Sequence, residues 1–154
     1  VEFFDYNCGY CRHALSDLDT LIENDPNLRV VLKEFPVLGQ ASMEASAVSI
    51  AVHDTAPELY GDFHHRLLSL EGHANEEAAL DIAEELGLSR EDIEAKMRSD
   101  VVKKTVQESY DLARSLGLSG TPSYVVGDGV EFGAVGYDAL LARVNEARCG
   151  AASC

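Results

Sequence analysis

Val1-Glu2-Phe3-Phe4-Asp5-Tyr6-Asn7-Cys8-Gly9-Tyr10-Cys11 opens the chain, and its reading decides the fold. Val1–Phe4 is apolar and aromatic enough to form a buried strand. After it, Cys11, Ala14, Leu15, Leu18, Leu21 and Ile22 recur at the spacing of one helical face. Cys8 therefore falls at the first turn of a helix. There a thiol meets unpaired backbone N–H groups and the positive end of the helix dipole. Both favour thiolate over thiol and make Cys8 a nucleophile and a leaving group near neutral pH. Cys11 lies one turn further on, within reach for a disulfide. The pair reads as a reversible two-electron switch.

Outward from this stretch, Asn24-Asp25-Pro26-Asn27 ends the helix, and Leu28 to Phe35 reads as a strand stopped by Pro36. A strand, a helical crossover and a second strand imply two parallel neighbours. From Gln40 to about Leu116 the pattern is helical throughout. One helix spans roughly Ala41 to Asp54, and a second follows Pro57. A third starts near Asn75, with Ala79, Ile82, Ala83 and Leu86 inward, and stops at Gly87. A fourth is announced by Ser89-Arg90-Glu91-Asp92. A fifth carries Val102, Val106, Ala113 and Leu116. Ser123–Val126, a Gly127-Asp128-Gly129 turn and Val130–Phe132 then read as a hairpin. A last helix begins near Tyr137. The expected class is α/β: βαβ, an all-helical insertion over 40–116, then ββα, with residues 1–39 and 117–154 forming one domain.

The 154 residues include 27 acidic and 12 basic ones, a formal net charge of −15. Little in that balance would neutralise phosphates, so nucleic-acid binding is not expected. A solvated acidic surface is its simplest meaning, and its self-repulsion predicts a gain in stability with salt. No apolar run has the length of a membrane span. The chain opens inside a strand, as a mature or trimmed polypeptide would, so the missing export signal leaves its compartment open.

The four cysteines form two close pairs, 8/11 and 149/154. For Cys8 and Cys11, a structural crosslink across one turn restrains little of the unfolded chain, and a zinc site needs two further ligands. For Cys149 and Cys154 three readings are open. They are a local disulfide clamping the tail, an auxiliary redox pair, and zinc binding by all four cysteines. His53, His64, His65 and His73 read as surface residues of the helical region, since adjacent residues on a helix do not share a face. His13, just past the first pair, is either a surface residue or a cation that lowers the Cys8 pKa. Tyr10 is either a donor to the thiolate or an exposed aromatic against bound peptide. Alternation alone leaves the face of Glu2 undecided, and Lys33 on the neighbouring strand is a possible partner for it.

With the Phe3–Cys11 motif, the helical insertion and Gly120-Thr121-Pro122 ahead of the hairpin, the chain resembles the DsbA-like thiol–disulfide oxidoreductases of the thioredoxin superfamily. The resemblance implies a thioredoxin fold with Cys8 attacking and Cys11 resolving. It implies a cis Pro122 beside the sulfurs, Thr121 offering backbone groups to an extended substrate, and Gly9 and Tyr10 tuning the potential. It also implies a buried acid at Glu2, six residues before Cys8, which would take the Cys11 proton. It implies a periplasmic setting, substrates that are unfolded or cysteine-containing proteins, a redox partner that regenerates the disulfide, and no cofactor or metal. Cys149 and Cys154 lie outside the family pattern, and a structural disulfide is expected there. Gly9-Tyr10 departs from the Pro-His of the strongest oxidases. With Thr121 it is similar to the isomerase DsbC and the ScsC group. A dithiol oxidase is expected, because this sequence carries no dimerisation module. An isomerase or reductase, a cysteine-based metal module and a chaperone-like peptide binder are the competing readings.

Overall fold

The computed structural model describes residues 1–154. A four-stranded mixed sheet, in the order β2-β1-β3-β4, forms its centre. Strand β1 (Glu2–Phe4) leads through helix α1 (Gly9–Asn24) to β2 (Leu32–Glu34), which pairs with β1 in parallel. Strands β3 (Ser123–Val126) and β4 (Gly129–Phe132) form the hairpin, and β3 runs antiparallel to β1. At the turn, Gly127 has a φ of +57°, and a Cβ there would lie 3.0 Å from the Cβ of Ala147. Glycine thus serves both the left-handed backbone and the close approach of the last helix, α7 (Tyr137–Cys149).

Between β2 and β3 run five α-helices: α2 (Gln40–Thr55), α3 (Tyr60–Leu68), α4 (Glu76–Glu85), α5 (Arg90–Met97) and α6 (Asp100–Ser115). Their starts follow local chemistry. Asn75, Ser89 and Ser99 each accept a hydrogen bond from the backbone N–H three residues on. Pro57 begins a single 3₁₀ turn, Pro57–Leu59, that leads into α3. The inner face of α1 buries Cys11, Ala14, Leu15, Leu18 and Leu21. Phe4, Tyr6, Cys8, Cys11 and Leu15 share one core with Val48, Val52, Phe63, Leu67, Leu80 and Ile93 of the helical region. The two cysteines therefore sit where the sheet, α1 and the helical region meet.

Two sequence expectations are corrected. The second strand covers Leu32–Glu34 rather than Leu28–Phe35, because β1 offers only three partner residues, and before them only the Val31 carbonyl reaches β1, accepting from the Glu2 N–H at 2.9 Å. His64 is buried at 5% exposure, whereas His53, His65 and His73 are exposed. Phe63, His64, Leu67 and Leu68 make the inward face of α3, and the His64 ring meets the Phe4 ring edge-on at 4.7 Å. Burial pushes the imidazole pKa down to about 4, aided by the charge of neighbouring His65.

Candidate active site

Cys8 caps the N-terminus of α1 in an extended conformation, with its own N–H bonded to the carbonyl of Asp5 at 3.0 Å. The Tyr10 and Cys11 amides of that first turn lie near enough to its sulfur to favour the thiolate. Both Cys8 and Cys11 are buried, and both thiols are free. The Cys8 pKa is pulled down to about 5. Hydrogen bonding from the Cys11 thiol is the largest cause; burial opposes it, and the Thr121 hydroxyl and the amides of Cys11 and Tyr10 assist. Cys11, the donor in that exchange and itself desolvated, is driven strongly upward. The two sulfurs thus divide their roles by environment: one ionised and forward, one protonated and behind.

The hairpin supplies the opposite wall. The Thr121–Pro122 peptide is cis. The carbonyl oxygen of Thr121 lies 3.2 Å from the Cys8 sulfur and accepts from it when the thiol is protonated. Glu2 is 3% exposed. Desolvation raises its pKa to about 7, against the donor effect of Tyr124 and the charge of the α-amino terminus, and the Cys8 thiolate raises it further. At that value a carboxyl exchanges protons readily near neutrality.

The remaining candidates separate from this centre. Tyr10 is 69% exposed and rises beside Cys8, and Gly9 is exposed next to it. His13 lies on the outer, solvent-exposed face of α1. Lys33 is not a partner of Glu2. The parallel register sets Leu32 opposite Glu2 and Lys33 opposite Phe3, so Lys33 projects from the other face of the sheet. Cys149 and Cys154 are bonded to each other and exposed at the end of α7. Arg148 pairs there with Asp25, just past the end of α1. Sixteen residues of α1 separate that pole from Cys8, a length of about 24 Å. Zinc binding by all four cysteines is therefore excluded, and so is direct exchange between the two pairs within one molecule.

Three side chains within and just beyond the opening motif position the site. None was singled out by the sequence reading. The buried carboxylate of Asp5 accepts from the N–H groups of Asn7 (2.8 Å), Val37 (2.8 Å) and Leu38 (3.0 Å). The Asn7 amide brackets Ala74, donating to its carbonyl at 2.8 Å and accepting from its N–H at 2.9 Å. Arg12 donates to the carbonyls of Leu70, Gly72 and Tyr6. Together they tie the turn before Cys8 to the 36–39 loop and the 69–74 loop. The available signal was three polar residues in and around an otherwise buried apolar motif, since a buried polar group requires partners. A second buried network lies deeper. Glu34 accepts from Ser49 at 2.8 Å and Tyr60 at 3.0 Å, Ser49 shares a 2.7 Å hydrogen bond with Tyr6, and Tyr6 reaches His64 at 3.2 Å.

Known proteins share this fold. Residues 1–145 match the family described as the DSBA-like thioredoxin domain. A thioredoxin-like oxidoreductase from Silicibacter pomeroyi is 40% identical, with a TM-score of 0.90 over 96% of this chain and 84% of that one. The thiol-disulfide exchange protein alpha-DsbA2 from Wolbachia pipientis is 34% identical, with a TM-score of 0.87 over 94% and 78%. The catalytic domain of Proteus mirabilis ScsC is 32% identical, with a TM-score of 0.83 over 95% and 80%. A curated relative, the Na(+)/H(+) antiporter NhaA 1 of Salinispora arenicola, is 27% identical over 153 residues. The match takes in 97% of this chain but only 23% of that protein's length. No helix here is long and apolar enough to cross a membrane. A sheet with a CxxC pair at the N-terminus of its first helix, a helical region between its halves and a match over residues 1–145 make this chain a member of the DsbA-like thioredoxin family of thiol–disulfide oxidoreductases.

Proposed function

We propose that the chain is a dithiol oxidase that passes its Cys8–Cys11 disulfide to cysteines of exported proteins. A substrate thiolate attacks the Cys8 sulfur. The Cys8–Cys11 bond breaks, Cys11 leaves with the electron pair, and it takes a proton from Glu2. A second substrate thiolate then attacks the substrate sulfur of the mixed disulfide and expels Cys8 as a thiolate. The substrate loses two electrons and the protein gains them; a partner oxidant must remove them to restore the disulfide.

The observation that carries this reading is the environment of Cys8. A thiol with a pKa of about 5 is ionised about 100 to 1 at pH 7. Stabilising the reduced form in this way makes the disulfide a stronger oxidant. Thr121 borders the sulfur where an extended substrate would lie, and exposed Tyr10 offers it an aromatic surface. In this reading residues 1–39 and 117–154 carry the chemistry. The 40–116 insertion covers the site and lends apolar surface, and Cys149–Cys154 clamps the end of α7. Oxidising chemistry of this kind suits an extracytoplasmic compartment such as the periplasm.

The deciding measurement is the equilibrium potential of Cys8–Cys11 against glutathione, paired with oxidation of a reduced model substrate. A value well above the thioredoxin level of about −270 mV, toward the DsbA level of about −120 mV, with stoichiometric substrate oxidation, supports the oxidase. A thioredoxin-like potential points to a reductase. Reshuffling of scrambled disulfides without net oxidation points to an isomerase.

A further inference from the structure

We propose that Tyr124 is a positioning residue for the proton exchange, its buried hydroxyl serving as the donor that steadies the Glu2 carboxylate across the strand pair. The proposal rests on the reading of Glu2 as the group that exchanges a proton with Cys11. It begins from register. Val1 and Val125 exchange both backbone hydrogen bonds across β1 and β3, each 2.8 Å long. The next pair, Glu2 and Tyr124, is therefore a non-hydrogen-bonded pair. In antiparallel sheets those are the pairs whose side chains approach most closely. Both side chains lie on the face covered by α1, where Tyr124 packs against Ala14, Leu21 and Leu140.

The chemistry of that position is unusual. Tyr124 is 3% exposed, and its hydroxyl is buried without a well-formed hydrogen bond. An unpaired buried hydroxyl is a cost that a fold retains only where something offsets it. The Glu2 carboxyl is within the phenol's reach, and the Cys11 sulfur is close enough to bear on it. The phenol thus stands ready for the charged form of the acid. When Cys11 hands its proton to Glu2 the carboxylate becomes neutral and releases the phenol. When Glu2 gives the proton back, the new carboxylate finds a donor waiting. Other charged or titratable groups facing the pair are few. They are the α-ammonium of Val1 on the same strand, Cys8, Cys11 and Asp17 on or capping α1, and Arg29 from the approach to β2. From β2 and α7 come Leu32, Leu140 and Val144, which carry no charge. Both Glu2 and Tyr124 also line a cleft of about 220 Å³ between α1, α7 and the sheet, whose other walls are mainly apolar.

Tyr124→Phe removes the hydroxyl and keeps the ring; loss of an unpartnered buried hydroxyl is neutral or favourable for folding. Glu2 is titrated by carboxyl ¹³C NMR in the reduced full chain, and decay of a mixed disulfide on Cys8 is followed across pH. The Glu2 midpoint should rise by about one pH unit in Tyr124→Phe, and the pH profile of mixed-disulfide resolution should move with it. The double variant Glu2→Gln/Tyr124→Phe should resolve at the rate of Glu2→Gln alone. An unmoved Glu2 midpoint in Tyr124→Phe overturns the role of Tyr124 and leaves Glu2 untouched. A wild-type resolution rate in Glu2→Gln overturns the proton-exchange reading itself, and with it the catalytic relevance of Tyr124, even if the titration shifts.

Discussion

At the scale of single residues, Cys8 and Glu2 carry opposite pH signatures. The folded pKa of Cys8, about 5, lies below its ordinary value near 9. Its ionisation therefore contributes stability to the reduced protein that is complete above pH 9 and is lost as pH falls through 5. Reduced wild type should gain stability over Cys8→Ser as pH rises from 5 to 9, measured by urea unfolding with a reductant present. Alkylation of Cys8 should titrate near pH 5, and a midpoint near 9 would remove the basis of the oxidase. Glu2 behaves in reverse. Its folded pKa of about 7 lies above the ordinary 4.5, so its contribution is complete below 4.5 and disappears as pH rises through 7. Glu2→Gln should thus be more stable than wild type at pH 8, by up to about 3 kcal/mol, with little gain at pH 4. The placement of Cys8 and Cys11 at a helix entry, with Thr121 beside them, was legible in the sequence because the helical periodicity and a family motif announce it. Tyr124 was not: its importance comes from lying opposite Glu2, a relation between residues 122 positions apart.

At the scale of elements, the entry to α1 is held by bonds to distant loops. Asp5 is fully buried and satisfies three backbone N–H groups, two of them in the 36–39 loop. Asp5→Asn keeps the volume but turns one acceptor into a donor, leaving a buried N–H without a partner. The expected cost is about 2 kcal/mol in urea unfolding, with faster amide exchange at Val37 and Leu38 than at α2. Equal exchange at both would show that the carboxylate does not hold the loop. The same kind of relation explains what the sequence left unread. Periodicity revealed α1, α4 and α6, because each has a wide apolar face. It missed the burial of His64, because α3 has nine residues and its inward face is defined by Phe4 and Tyr6 from another element. It overextended β2, because a run of β-prone residues is a strand only where a neighbour pairs with it. It passed over Asp5, Asn7 and Arg12, whose partners are backbone atoms of remote loops and leave no side-chain pattern to read.

At the scale of the whole molecule, charge balance was readable from composition, but its distribution was not. Arg90 alone gathers Glu77, Glu84, Asp81 and Glu94, at 2.6, 2.8, 3.0 and 3.5 Å. One cation therefore offsets the acidic first turn of α4, the end of α4 and the body of α5, where they would otherwise repel. Salt acts on both parts of this surface. It weakens the Arg90 pairs and it weakens repulsion among the remaining acids, so the sign of its effect depends on which is stronger. Exposed pairs contribute about 0–1 kcal/mol each. The excess of 27 acidic over 12 basic residues leaves most carboxylates with no cation nearby, and their repulsion reaches across about 30 Å at 0.01 M salt but only about 8 Å at 0.15 M. Repulsion therefore outweighs the pairing. Raising NaCl from 0.01 to 0.15 M should lift the melting temperature of the oxidised protein by about 2–4 °C. In Arg90→Ala the rise should be greater, because four more carboxylates join the unscreened set. A flat melting temperature in wild type would mean that the acids are too dispersed to act on one another, and an equal rise in Arg90→Ala would mean that Arg90 does not offset the repulsion among its four carboxylates.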